Sequence, residues 1–178
     1  MRAGASRSSR TCSAATSTKR RCDVRSTRHC ARASRRDVLP VDPVVLRRRL
    51  HAIERYLRVL RTLRARGREA FLHDDVVQDR VERNAELLAQ TCADVALHIV
   101  SASGSGAPET YGDAIRRAAP LLDLPADVAD RLAGAMGLRN ILAHMYLDID
   151  HGRLFDELGW IDDSERFAAA VERWLGRL

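Results

Sequence analysis

The sequence predicts an all-α fold: an antiparallel bundle of four to five helices, preceded by a disordered basic tail. Three observations predict it. Leu46, Leu50, Ile53, Leu57 and Leu60 recur at alternating steps of four and three, the spacing that lines one face of a helix. A second periodic stretch runs from Asp74 and Asp75 to about Val100. The third is compositional. The 178 residues are 46% hydrophobic, enough for one domain with a core, yet almost none of the large apolar side chains fall near the N-terminus. Residues 1–40 are therefore set apart as an Arg/Ser-rich extension, and 41–178 as the helical domain.

Charge divides the chain at the same place. Residues 1–36 hold eleven Arg or Lys against one acid, Asp23, a net of +10. The other 142 residues hold 19 basic and 23 acidic side chains, a net of −4, and the two parts give the chain its +6. The folded body is mildly acidic, so net charge gives it no basic nucleic-acid surface. The extension cannot bury enough apolar surface to offset its ordering entropy. It reads as a transit peptide, an RNA-binding arm or a translation start assigned too far upstream, the last favoured and then the arm. Three cysteines (Cys12, Cys22, Cys30) lie in it and Cys92 lies in the second helix, at spacings that match no zinc pattern. They read as incidental thiols of a reducing, cytoplasmic setting. No run of 18 apolar residues is long enough to span a membrane, and no secretory signal is evident.

The elements follow in order. Asp42-Pro43 sets an N-cap before a proline at the first helical position, and Gly67 stops the first helix. Its arginines (Arg47, Arg48, Arg49, Arg55, Arg58, Arg61) read as a solvated face or as a hold on RNA backbone. In the second helix Val77, Val81, Asn84, Leu88, Thr91, Val95 and His98 or Ile99 share a stripe. Asp94 and His98, four apart, lie on one face and pair either structurally or toward a functional site or dimer seam. Ser101 to Pro108 is a loop whose glycines, with no lysine after them, do not form a P-loop. A short helix runs from about Glu109 to Ala119. After Leu124-Pro125 comes a helix with Val128, Leu132, Met136 and Leu142 as its apolar contacts. Gly134 and Gly137 in it suit close approach to another helix or to a ligand. Asp150-His151-Gly152 reads as a turn. A last helix, capped within Asp162-Asp163-Ser164-Glu165, has Phe167, Val171, Trp174 and Leu178 on its apolar side.

The stretch that carries chemistry is Arg139-Asn140-Ile141-Leu142-Ala143-His144-Met145-Tyr146. It holds a permanent cation with a planar fork of donors suited to phosphate. It also holds an imidazole that exchanges protons near neutral pH, and a phenol. Together they point to phosphodiester chemistry without a metal. A helix turns about 100° per residue, so Arg139 and His144 would point about 140° apart, while Asn140 and His144 would share a face. Either the helix ends close to His144 or a second copy of the chain completes the site. Met145, Leu147 and Ile149 alternate with Tyr146, Asp148 and Asp150, which reads as extended backbone after a helix ending close to His144. A cation and an imidazole that merely decorate a helix C-terminus are the structural alternative.

Arg139-(four residues)-His144-Met145-Tyr146 matches the RX4HXY signature, and the string Gly137 to Tyr146 resembles a GxRNxLxHxY segment. Asp94-(three residues)-His98 and Pro108-Glu109-Thr110-Tyr111 extend the likeness. On these residues the chain resembles HEPN proteins of the HepT-like branch over roughly residues 42–175. Met145 falls at a variable position, and Ala143 replaces a larger aliphatic. The resemblance implies a HEPN-like bundle acting as a ribonuclease toxin that needs neither metal nor cofactor. It implies a homodimer in which two motifs meet, and RNA as substrate, with tRNA and mRNA the candidates. It implies a minimal nucleotidyltransferase (MNT) antitoxin that transfers AMP to the motif tyrosine, here Tyr146. Arg139 and His144 would be catalytic, with Asn140, Asp94 and His98 in support. The alternative is a non-catalytic HEPN binding subunit of a nucleotidyltransferase.

Overall fold

A computed structural model describes residues 41–144 and 149–178, without the side chains of Ala143 and His144. The extension expected to be disordered lies outside the described residues. Every regular element among the described residues is a helix: α1 (Pro43–Arg64), α2 (Arg68–Leu72), α3 (Asp75–Ala102), α4 (Tyr111–Ala118), α5 (Ala126–His144), α6 (His151–Glu157) and α7 (Trp160–Leu175), with a 3-10 turn at Ala119–Leu121. Five of them have eight or more residues and make the expected four-to-five-helix bundle; α2 and α6 are short additions. No described helix is long and apolar enough to cross a membrane.

The directions follow from side-chain contacts. The Asp42 N–H at the start of α1 donates to His98 Nε2, near the end of α3, at 3.2 Å, so α1 and α3 run antiparallel. Arg61, late in α1, donates to Glu165, early in α7, at 2.6 and 2.8 Å, so α1 and α7 are antiparallel too. Arg116 of α4 meets Asp130 of α5 at 2.7 Å, while Gly112 lies against Ala133, which sets α4 antiparallel to α5.

Helix α1 begins as expected, with Asp42 Oδ1 accepting from Val44 and Val45 N–H. All five seam residues are buried, and Leu63 extends the seam. Each such side chain contributes about 1.5–3 kcal/mol relative to exposure. At the helix end Gly67 takes φ +88°, which an L side chain rarely adopts, and its N–H donates to Arg64 O.

Several expectations need correction. In α3 the buried line passes through Val77, Val81, Ala85, Leu88, Cys92, Val95 and Ile99. Asn84, Thr91 and His98 sit at its margin, half-buried, because Asn84 and Thr91 return their side chains to Arg80 O and Leu87 O. The segment holding Phe71 is the short helix α2, anchored by that buried ring against Phe155. Helix α4 begins at Tyr111 rather than Glu109, because Thr110 caps it. The turn expected at 150–152 is the start of α6, with Asp150 Oδ1 accepting from Arg153 N–H. Helix α7 begins at Trp160, because Trp160 and Ile161 are core residues and Asp162 and Asp163 suit its first turn. Leu178 lies past the end of α7 and is exposed. The extended backbone expected after His144 falls mainly on 145–148, outside the described residues.

Candidate functional site

The site is built on α5. Val128, Leu132 and Met136 are buried in the bundle, so the first half of the helix is fixed by packing. Beyond them Leu138 and Leu142 are half-buried, while Asn140 and Ile141 are exposed. The helix thus carries its motif from the core out to the surface. It is continuous through both 139 and 144, so these positions keep the roughly 140° divergence that helical rotation requires.

The start of α4 forms the opposite wall. Thr110 Oγ1 accepts from Asp113 N–H, and the Asp113 carboxylate in turn accepts from Glu109 N–H, both at 3.0 Å. This reciprocal capping fixes the Pro108–Tyr111 corner. The Glu109 N–H, and next the Arg117 side chain, hold the Asp113 carboxyl below its ordinary value. A Cβ on Gly112 would lie 3.2 Å from Ala133 O, so glycine lets α4 approach α5 this closely.

Between these walls the Arg139 guanidinium lies over the Tyr111 ring, with Cζ 5.6 Å from its centroid. Arg139 Nη1 donates to Asn140 Oδ1 at 3.2 Å. Arg139 Nε is out of solvent with no acceptor among the described residues, a state that costs about 1–3 kcal/mol unless another group supplies one. Beside them opens a cleft of about 450 Å³, lined by Thr110, Tyr111, Arg116, Met136, Gly137 and Asn140 among others. The arrangement can bind a phosphate at Arg139 and a planar group beside it.

Of the residues singled out in the sequence, Arg139 and Asn140 come together here. Position 144 lies further along the same helix; the His144 side chain and all of Tyr146 lie outside the described residues. Asp94 and His98 do not pair with each other. Asp94 Oδ1 accepts from Gln90 Nε2 at 2.8 Å, and His98 is engaged by the Asp42 N–H. Leu97, between them, does line the cleft. Among the described residues no atom of another element comes within 4 Å of a Cβ at Gly134 or Gly137, so neither serves the expected helix contact there. Tyr111 was visible only as part of a motif string, with no sign of its partner. Among the described residues no group of three or more His, Cys, Asp or Glu side chains is placed to hold a metal. Burial at the centre of α3 raises the Cys92 thiol to about 12, which makes it a core residue rather than a nucleophile.

The other side of α5 borders a second groove, of about 930 Å³, lined by Leu138, Ile141, Leu142, Ile149 and Trp160 among others. At its edge Arg131 grips the buried Asp163 carboxylate through Nε and Nη2, both at 2.9 Å, and ties α5 to α7.

Residues 50–171 match the family described as Ribonuclease HepT-like, and the chain belongs to that family: it is a ribonuclease. It is 32% identical over 115 residues to the tRNA nuclease HepT of Aphanizomenon flos-aquae, covering 65% of this chain and 78% of the relative. The tri-AMPylated Shewanella oneidensis HEPN toxin, solved in complex with its MNT antitoxin, shares the fold with a TM-score of 0.65 at 23% identity. That match covers 72% of this chain and 97% of the other. A toxin–antitoxin structure with AMP-PNP aligns with a TM-score of 0.66 at 22% identity, over 73% and 98% of the two chains.

Proposed function

We propose that this chain is the metal-independent endoribonuclease toxin of a toxin–antitoxin pair, acting as a homodimer whose sites combine Arg139 and His144. The observation that carries the reading is that positions 139 and 144 of the sequence motif lie on one continuous α5, in a chain of the HepT-like ribonuclease family. RNA brings its own nucleophile. The ribose 2′-OH attacks the adjacent phosphorus and His144 takes its proton. The P–O bond to the 5′-oxygen breaks, and that oxygen takes a proton from a protonated imidazole. Arg139 stabilises the added negative charge of the pentavalent transition state. The products are a 2′,3′-cyclic phosphate and a 5′-hydroxyl. Asn140, bonded to Arg139, orients its guanidinium. A curated relative that is a tRNA nuclease makes tRNA the first substrate to try.

Control falls to a nucleotidyltransferase partner that moves AMP from ATP to the Tyr146 hydroxyl, releasing pyrophosphate. The adduct places bulk and negative charge two residues beyond His144. The MNT complex of a tri-AMPylated fold relative supports this reading. The experiment is expression of the chain alone, then with its partner. Growth arrest is expected, abolished by Arg139→Ala and by His144→Ala, with cut RNA ending in a cyclic phosphate. Incubation with partner and ATP should add AMP units to the wild type but none to Tyr146→Phe. Cut RNA with a free 3′-hydroxyl contradicts the mechanism, and arrest that survives His144→Ala removes proton transfer from it. No arrest and no cleavage would leave the non-catalytic binding subunit.

A further inference from the structure

The cleft between the start of α4 and α5 has a chemistry that the cleavage step does not use. Its volume of about 450 Å³ suits a small planar ligand. Two of its lining residues also touch Arg139: the Tyr111 ring lies under the guanidinium, and Asn140 accepts from Nη1. A phosphate bound to Arg139 therefore has a half-buried aromatic ring and an amide beside it. These are the surfaces that take an unpaired nucleobase, by stacking on the ring and by hydrogen bonds at the edge. The wall is fixed in advance. Thr110 caps α4, Arg116 and Asp130 join α4 to α5, and Gly112 sets their spacing. A preformed wall costs little ordering on binding.

The geometry points to this cleft as the seat of the RNA nucleotide adjoining the scissile phosphate, with Tyr111 both stacking on its base and holding the Arg139 guanidinium in place. The inference rests on Arg139 as the phosphate-binding group. The seat takes single-stranded RNA, because a base stacked within a duplex cannot enter it. No bond changes there.

The test is an NMR titration of the full chain with the four nucleoside 3′-monophosphates, following the Gly112 and Gly137 amides and the Arg139 Nε–H. Saturable shifts in all three are expected. Tyr111→Leu should weaken binding about tenfold, as loss of one stacking contact does, and Tyr111→Phe should not. Gly137→Leu, whose Cβ meets no described protein atom within 4 Å at a position lining the cleft, should also weaken it. Ribose 5-phosphate giving the same shifts at the same affinity would overturn the seat, as would undiminished binding in Tyr111→Leu. A wild type that binds the nucleotides here but leaves RNA uncut overturns the nuclease reading and sustains the cleft only as a nucleotide-binding site. One that cuts RNA with none of these shifts does the reverse.

Discussion

Arginine at position 139 presents a planar fork of donors and lies over the Tyr111 ring. Lysine offers the charge alone. Arg139→Lys is therefore expected to lower the single-turnover cleavage rate by about 10²-fold or more, the scale of losing one preorganised transition-state donor. Affinity for RNA blocked by a 2′-O-methyl group should change by only a few fold. A lysine variant cutting at the wild-type rate would reduce Arg139 to a point charge. The motif itself was legible from residue chemistry and spacing within a few helical turns. Its support was not. Tyr111 lies on another helix, and helical arithmetic has no reach across α4 and α5. The spacing of Asp94 and His98 allowed a pair but did not select one, because Gln90 and the Asp42 N–H are available to them.

Helix boundaries followed capping chemistry where a cap was present, at Asp42, Asp74, Thr110 and Asp150. Short α2 and α6 were not legible, since five and seven residues carry too little periodicity. The α3 seam shifted because alanine and cysteine supply buried surface that a search for large apolar residues passes over. Glycines in α4 and α5 make opposite predictions. Gly112→Ala presses a Cβ against the Ala133 backbone oxygen, which cannot rotate away, and should cost about 1–3 kcal/mol. Gly134→Ala meets nothing and should stabilise by up to about 1 kcal/mol through helix propensity. Urea unfolding of the two variants checks both signs. The Asp113 clasp predicts a pH dependence. Its carboxyl is lowered from 3.8 in the fold, so its contribution is fully present above that value and is lost as pH falls through the lower folded value. Asp113→Asn should therefore melt below the wild type at pH 6, with the gap closing toward pH 3. A gap that persists unchanged would mean that the carboxylate charge is not what holds the corner.

At the scale of the molecule, leucine spacing was enough to predict an all-helical bundle, because a helix must bury its apolar face against others. Assembly is a different matter. A continuous α5 sends positions 139 and 144 in directions about 140° apart, and Ile141, about 60° beyond position 144 and on the side away from Arg139, stands 45% exposed. In the homodimer proposed above, the two chains pack along α5 so that Arg139 of one and His144 of the other reach one phosphate. Mixing two inactive variants tests this directly. In a heterodimer of Arg139→Ala with His144→Ala, one composite site takes its arginine from one chain and its histidine from the other, and is intact. The second site has neither. Random pairing makes about half the dimers mixed, so recovery should approach a quarter of wild-type cleavage. Adding Ile141→Glu to both chains should abolish that recovery, with light scattering reporting monomers and circular dichroism an unchanged helix content. If each site instead drew both residues from one chain, no mixture of these variants would cut RNA. That result would require the His144 side chain to turn back toward Arg139 within a single protomer.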